Sequence, residues 1–210
     1  MGVAMPPRDE QDYEQRRLQI IDGALAAFSD KGFDGASNKD IAQAAKIASP
    51  ALIYHYFKDK LDLLHQLLVA RMPLLRLIDD AQSLLEEPPE VALPLLAEQM
   101  LKAYLQWPAM AILKLVLAES VRNPRVAEMV NEVGPGRGLR LLATYLERQM
   151  ECGHLRRMDP HVAARSFVGP LMAYILTREI FQQPESIAIT PEAMARSATE
   201  IFLRGMRVED

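Results

Sequence analysis

Residues 37–64 read SNKDIAQAAKIASPALIYHYFKDKLDLL. Ser37 can accept from backbone N–H groups two or three residues on. Asp40 stands where the reciprocal acid of a capping box sits, so a helix begins here. Ile41, Ala42, Ala44 and Ala45 supply a short helix that ends near Ala45 or Lys46. Ser49 is a good N-cap, and Pro50 fits the first helical position, where no N–H is missed. A second short helix is therefore expected over 50–57. Asp59 and Asp62 mark a third start, followed by a longer helix with Leu61, Leu64 and Leu68 on one face. Two short helices separated by about four residues, with longer helices on either side, have the layout of a helix-turn-helix, whose second helix enters the major groove.

Outward from this segment the pattern stays helical. Over 9–31, Leu18, Ile21, Leu25 and Phe28 share one helical face. Gly32 can end that helix in a left-handed turn, and Phe33 follows where an apolar contact often closes such an ending. Residues 1–8, with Pro6 and Pro7, read as a mobile arm. Beyond residue 65 helices are expected at 60–80, 91–106, 108–122, 124–131, 136–152, 160–182 and 191–207. Pro73 and Pro170 fall inside two of these spans and imply kinks or breaks. Gly153 reads as a C-terminal cap. No segment shows sustained alternation of β-branched residues, so the fold class is all-α. The chain divides into an arm (1–8), a helix-turn-helix head (9–65) and a larger helical body (66–210).

The 210 residues are 50% hydrophobic and 25% charged, the balance of a globular chain. Aromatics are 6%, which suits helices better than sheets. The uncharged stretches 103–113 and 166–177 fall short of the ~18–20 residues a membrane span needs. No apolar run follows the first basic residues, as a secretory signal would require. One cysteine, Cys152, cannot form an internal disulfide. A cytoplasmic protein without membrane contact is expected. The net charge of −4 argues on its face against nucleic acid. Within 38–60, however, Lys39, Lys46, Lys58 and Lys60 outnumber Asp40 and Asp59, a local excess of +2. Binding to phosphates there should weaken as salt rises.

Enzyme readings find little support. Cys152 and His154 could pair as nucleophile and base, but the cap at Gly153 explains them as a helix ending. Gly134-Pro135-Gly136-Arg137-Gly138 lacks the Gly-Lys-Ser/Thr ending of a phosphate loop. The four histidines form no metal-ligand pattern. No catalytic residue, metal or cofactor is expected.

At residues 18–64 the chain resembles the TetR/AcrR family of bacterial transcription regulators. Ala24, Phe28, Gly32 and Phe33 carry the resemblance, then Asp40-Ile41-Ala42-Gln43-Ala44-Ala45, and above all the run from Leu52 to Leu64. Two features depart from the family. Lys46 stands where glycine usually follows the alanine pair, and the segment from Ile41 to Tyr54 is one residue longer. The resemblance implies a DNA-binding head and a C-terminal ligand-binding and dimerisation domain. It also implies a non-enzymatic regulator: a repressor that binds a palindromic operator as a homodimer and is released by a small hydrophobic effector. The alternative is a helical ligand-binding or scaffold protein that kept the fold without binding DNA.

Pro50, Ala51 and Leu52 are small or apolar and could approach thymine methyls. His55 and Tyr56 carry polar tips that reach phosphates or base edges. By resemblance, Tyr54, Tyr56 and Lys60 contact the DNA backbone, Lys60 together with the N–H groups of its helix. Ser37, Asn38, Lys39 and Lys46 would meet the backbone on the other side, and Ser49 can add a phosphate contact to its capping role. Ile53 and Phe57 read as core, while Tyr54 is divided between core and contact.

In the body, Met100, Tyr104, Trp107, Met110, Leu113, Tyr145 and Phe167 combine deformable and aromatic surface suited to a ligand pocket. Gln106, Glu119, Gln149 and His154 are candidate polar anchors. The stripe Phe167, Leu171, Tyr174 and Ile175 is expected at the dimer interface with Ala198, Ile201, Phe202 and Gly205. A second stripe, Ala164, Val168, Met172 and Leu176, leaves that helix apolar on two faces. The family places its four-helix dimer interface here, and an all-intramolecular core is the other reading.

Overall fold

Gly32 breaks the first helix where the sequence places the break. The computed structural model describes residues 8–72 and 86–208. Its first helix, α1 (Arg8–Gly35), holds one non-helical residue, Gly32 at φ 74°. A side chain is disfavoured at that φ. Phe33 then folds back on Phe28, ring centres 5.3 Å apart.

α2 (Asn38–Ala44) has the expected capping box, with Ser37 and Asp40 each satisfying the other's backbone. It ends in a Schellman turn: Lys46 N–H donates to Gln43 O and Ile47 N–H to Ala42 O. Lys46 takes the left-handed residue of that turn, at φ 54°. Two side-chain features bring α1 close to it. Gln19 Nε2 donates to Ala45 O at 2.7 Å. A Cβ on Gly23 would lie 2.5 Å from both N and Cβ of Ala45, so only glycine fits.

The expected short helix over 50–57 is present, in two parts. The structure has a 3-10 turn, Pro50–Leu52, and one α-turn, α3 (Ile53–Tyr56). Pro50 fixes its own φ, and Leu52 N–H returns to Ser49 O in the tighter i→i+3 bond. Phe57 is extended and ends the segment. α4 (Lys60–Arg71) starts where Asp59 accepts from Asp62 N–H. The fate of Pro73 and of residues 73–80 lies outside the described residues, as do residues 1–7 of the expected arm.

The next helices are α5 (Pro89–Tyr104), α6 (Ala109–Arg122), α7 (Pro124–Val133), α8 (Pro135–Glu151), α9 (Pro160–Glu179), α10 (Pro184–Ala188) and α11 (Pro191–Gly205). Six of these seven open on proline, which gives up no bond at a first helical position. Gly153, φ 77°, closes α8 with Gly153 N–H on Met150 O and His154 N–H on Gln149 O. Pro170 lies inside α9 without ending or splitting it, so of the expected kinks or breaks no break occurs there. It lies on an exposed side of the helix. α10 falls between the helices expected at 160–182 and 191–207. Arg178 holds the segment around it by donating to the carbonyls of Ile187 and Ile189.

No strand occurs among the described residues, and none of their helices alone is long and apolar enough to cross a membrane. The chain forms two compact units. One holds the residues up to Arg71 together with Leu115–Val130; the other holds Met72–Lys114 and the residues from Asn131 on. This differs from a single division at 65/66. Leu115, Val116 and Val126 of that second segment are buried. Ile20, Ile21, Phe28, Ile41, Ile53, Phe57 and Leu64 build that unit's core, with Ile53 and Phe57 as expected. In the second unit α11 packs on α5, and α9 packs on α8 and α11.

Candidate nucleic-acid interface

The residues from Ser37 to Tyr56 form a linked polar surface on the first unit. Tyr54 is 62% exposed. Its hydroxyl accepts from Asn38 Nδ2 at 2.7 Å, which joins α2 to α3. Tyr54 is thus a surface residue, not a core one. His55 is exposed, as are Lys39, Lys46, Ser49, Pro50 and Ala51. Leu52 and Tyr56 are half-buried. Ser49 accepts from Ala51 N–H at 3.3 Å and acts as the cap. The Tyr56 ring lies 4.7 Å from that of Tyr13. The sequence reading missed Tyr13. Its signal was present: Tyr13 precedes Arg17 and Ile20 at helical spacing, on a face that α1 turns toward its own unit.

The charges around α2 are arranged unequally. Lys31 Nζ lies 2.6 Å from Asp40 Oδ1. That bond and those from Ser37 hold the Asp40 carboxyl far below the usual carboxylate range, and Asp40 in turn raises Lys31. Asp40 is therefore neutralised locally. Lys39, Lys46 and Lys58 make no ion pair among the described residues. This leaves net positive charge on a surface of exposed polar tips, the requirement for meeting phosphates.

Lys60 departs from expectation. Its ammonium donates to Asp34 O at 3.2 Å and lies 4.9 Å from the centre of the Phe33 ring. Desolvation lowers its pKa, opposed by the carboxylates of Asp34 and Glu119. Lys60 is thus turned toward its own chain.

The residues expected to line a ligand pocket do not share one fate. Met100, Tyr104, Leu113, Tyr145, Gln149 and Phe167 are buried, and Met110 is half-buried. Burial pushes the Tyr104 phenol up to about 12. Burial and the carboxylates of Glu90 and Glu87 raise Tyr145, whose hydroxyl donates to Glu87 O at 3.0 Å. Trp107 is corrected: it is 77% exposed, in the turn between α5 and α6, where size alone does not bury a side chain. Gln149 is engaged with His154 Nδ1 at 2.7 Å. Glu119 is corrected as an anchor, because it belongs to the first unit and accepts from Phe33 N–H. The second unit has a groove of about 550 Å³ with a charged lining that includes Glu98, Arg196, Arg204 and Arg207. Of the expected ligand residues only the candidate anchor His154 reaches it.

The dimer stripe is also corrected. Phe167, Leu171, Tyr174 and Ile175 are at most 4% exposed in the single chain. Phe167 packs edge-on to Phe202, centres 5.3 Å apart. Ala198 and Phe202 are buried as well. The bulkier stripe took the core together with Ala164 of the second stripe, leaving Val168, Met172 and Leu176 half-buried on the adjoining face of α9. Ile201 is 73% exposed, and Gly205 is exposed.

Residues 20–67 match the family described as bacterial regulatory proteins, tetR family. Residues 91–205 match the C-terminal domain of AefR-like transcriptional repressors. The HTH-type transcriptional repressor Rv1474c of Mycobacterium tuberculosis is 39% identical over 56 residues, 27% of this chain and 29% of that protein. The negative transcriptional regulator IcaR of the biofilm operon icaADBC in Staphylococcus epidermidis is 45% identical over 38 residues, 18% of this chain and 20% of that protein. The chain thus spans less than a third of the length of either curated relative. Among solved structures, the fatty acid degradation regulator FadR of Bacillus halodurans aligns over 92% of this chain and 97% of its own. Its TM-score is 0.73 and its identity 26%.

Proposed function

This chain belongs to the TetR family of bacterial regulatory proteins, whose members are regulators rather than enzymes, and we propose that it is a ligand-responsive DNA-binding repressor. The observation that carries this reading is the Asn38–Tyr54 bond. It ties the two arms of the helix-turn-helix together and holds Tyr54 outward beside exposed His55, Lys39 and Lys46. Ser37, Ser49, Pro50, Ala51, Leu52 and Tyr56 complete the surface that meets the duplex in the cytoplasm.

Two copies are needed to read a palindrome whose half-sites lie about 34–36 Å apart. The exposed Ile201 and Gly205 of α11, with Val168, Met172 and Leu176 of α9, are the apolar surface available for that dimer. Ile201→Glu should yield monomers in analytical ultracentrifugation.

The effector is a small, largely apolar molecule held among Met100, Tyr104, Met110, Leu113 and Tyr145. To release DNA it must bind the DNA-incompetent state more tightly; otherwise it shifts nothing. It acts by displacing α4, the helix that begins at Lys60.

The test is a gel shift with the DNA adjoining its own gene. Binding should be salt-sensitive and lost when the palindrome is scrambled. No shift even at low salt would favour a ligand-binding protein that kept the fold without the DNA.

A further inference from the structure

A buried carboxylate in the first unit leaves one oxygen unused. Glu119 is 2% exposed. Its Oε1 accepts from Phe33 N–H at 2.9 Å, while Oε2 is buried without a hydrogen-bond partner. The Phe33 ring meets the opposite charge: Lys60 Nζ stands 4.9 Å from its centre and 5.9 Å from that of Phe28. Phe33 is therefore gripped at its N–H by a carboxylate and at its ring by an ammonium. The preceding residue is Gly32, where a Cβ would lie 3.2 Å from Glu119 Oε1.

The Phe33 N–H does not require a charged acceptor. A glutamine oxygen would serve it equally. What the negative charge adds is attraction for Lys60 in a desolvating position, a smaller share than that of the Asp34 carboxylate but one fixed in place by burial. Lys60 is also the first residue of α4, where an ammonium and free helix N–H groups can meet one phosphate.

We propose that Lys60 has two positions, the inward one on Phe33 and an outward one on a DNA phosphate, and that Glu119 is the positioning residue that sets the balance between them. This rests on the DNA-binding reading above. Glu119 is then a brake on DNA affinity, built into the head itself.

The test uses Glu119→Gln, which keeps the acceptor for Phe33 and removes the charge. Wild type and variant are titrated with a labelled duplex of the DNA adjoining the gene across a salt series. The variant should bind more tightly at low salt. Its slope of log K against log salt should steepen by about 0.9 per subunit, the signature of one more phosphate contact. In a Lys60→Gln background the same change should leave the slope untouched. Phe33→Leu, which keeps an apolar side chain but removes the ring, should act in the same direction and serves if Glu119→Gln does not fold. Wild-type slope and affinity in these variants, or an effect that persists without Lys60, would overturn the inference alone. Failure of the wild type to bind at all would sink the DNA-binding reading and this inference with it.

Discussion

Asn38 donates its side-chain amide to the Tyr54 hydroxyl across 2.7 Å, so the first residue of α2 and the second of α3 are joined by a surface bond. The bond is solvent-exposed and adds little to folding. Its consequence is orientation: it presents the Tyr54 ring and hydroxyl in one direction. Tyr54→Phe should change stability by no more than about 0.5 kcal/mol, as exposed substitutions do. It should weaken DNA binding by about 1 kcal/mol per subunit, the net value of one hydrogen bond, or roughly fivefold. Asn38→Ala should cost a similar amount. The double variant should lose no more than either single one, because the two groups act as one unit. Additive losses in fluorescence anisotropy would show instead that the two residues touch DNA separately.

Lys46 occupies a backbone conformation that glycine prefers, at φ 54°. The Schellman bonds of Lys46 and Ile47 hold it there. A left-handed L-residue costs roughly 1–2 kcal/mol. Lys46→Gly should therefore stabilise the protein by about 1 kcal/mol in urea denaturation. If the lysine is retained for its charge, the same substitution should reduce the salt slope of DNA binding by about 0.9 per subunit. A variant that is less stable than wild type would contradict the strain argument.

What the sequence revealed follows the range of the interactions. The capping box of Ser37 and Asp40, the break at Gly32 and the cap at Gly153 are each decided within a few residues, and each stands where the sequence puts it. The TetR-family head was legible for the same reason, since its motifs are contiguous. Contacts between distant residues were not. Glu119 meets Phe33 across 86 positions, and nothing in the local pattern of α6 marks it as other than a pocket anchor. The two stripes of α9 show that both faces are apolar. Only the Phe167–Phe202 packing decides which one is interior. Trp107 fails differently: a large apolar side chain in a turn has no helix face to carry it inward.

Gly23 is where α1 and the turn after α2 approach most closely. An added Cβ would sit 2.5 Å from Ala45 N, a backbone atom that cannot rotate away. Gly23→Ala should thus destabilise by about 1–3 kcal/mol, the range for overpacking, despite alanine's better helix propensity. Because relief means moving the turn away from α1, DNA affinity should fall as well. Hydrogen exchange should find faster opening at Ala45, Lys46 and Ile47. Unchanged stability would mean that the turn shifts freely and does not fix the pitch of α3.

Asp40 gives the head a pH dependence whose sign can be worked out. Lys31 and Ser37 hold its folded pKa well below the unfolded value near 3.9. A depressed carboxyl stabilises the fold above its unfolded pKa and loses that contribution as pH falls toward the folded one. The Asp40 share should therefore be complete above about pH 5 and decline below about pH 4. Lys31, raised by the same partner, gives a share that is complete below its unfolded value near 10.4 and lost above it. Asp40→Asn keeps a capping side chain but cannot titrate. The stability gap between wild type and Asp40→Asn, measured by urea denaturation, should be constant from pH 5 to 8. It should close progressively from pH 4 toward pH 2, because the other carboxylates titrate alike in both proteins. A gap that persists unchanged at pH 3 would mean that Asp40 acts through its shape and hydrogen bonds alone, and that the pair with Lys31 adds nothing to the fold.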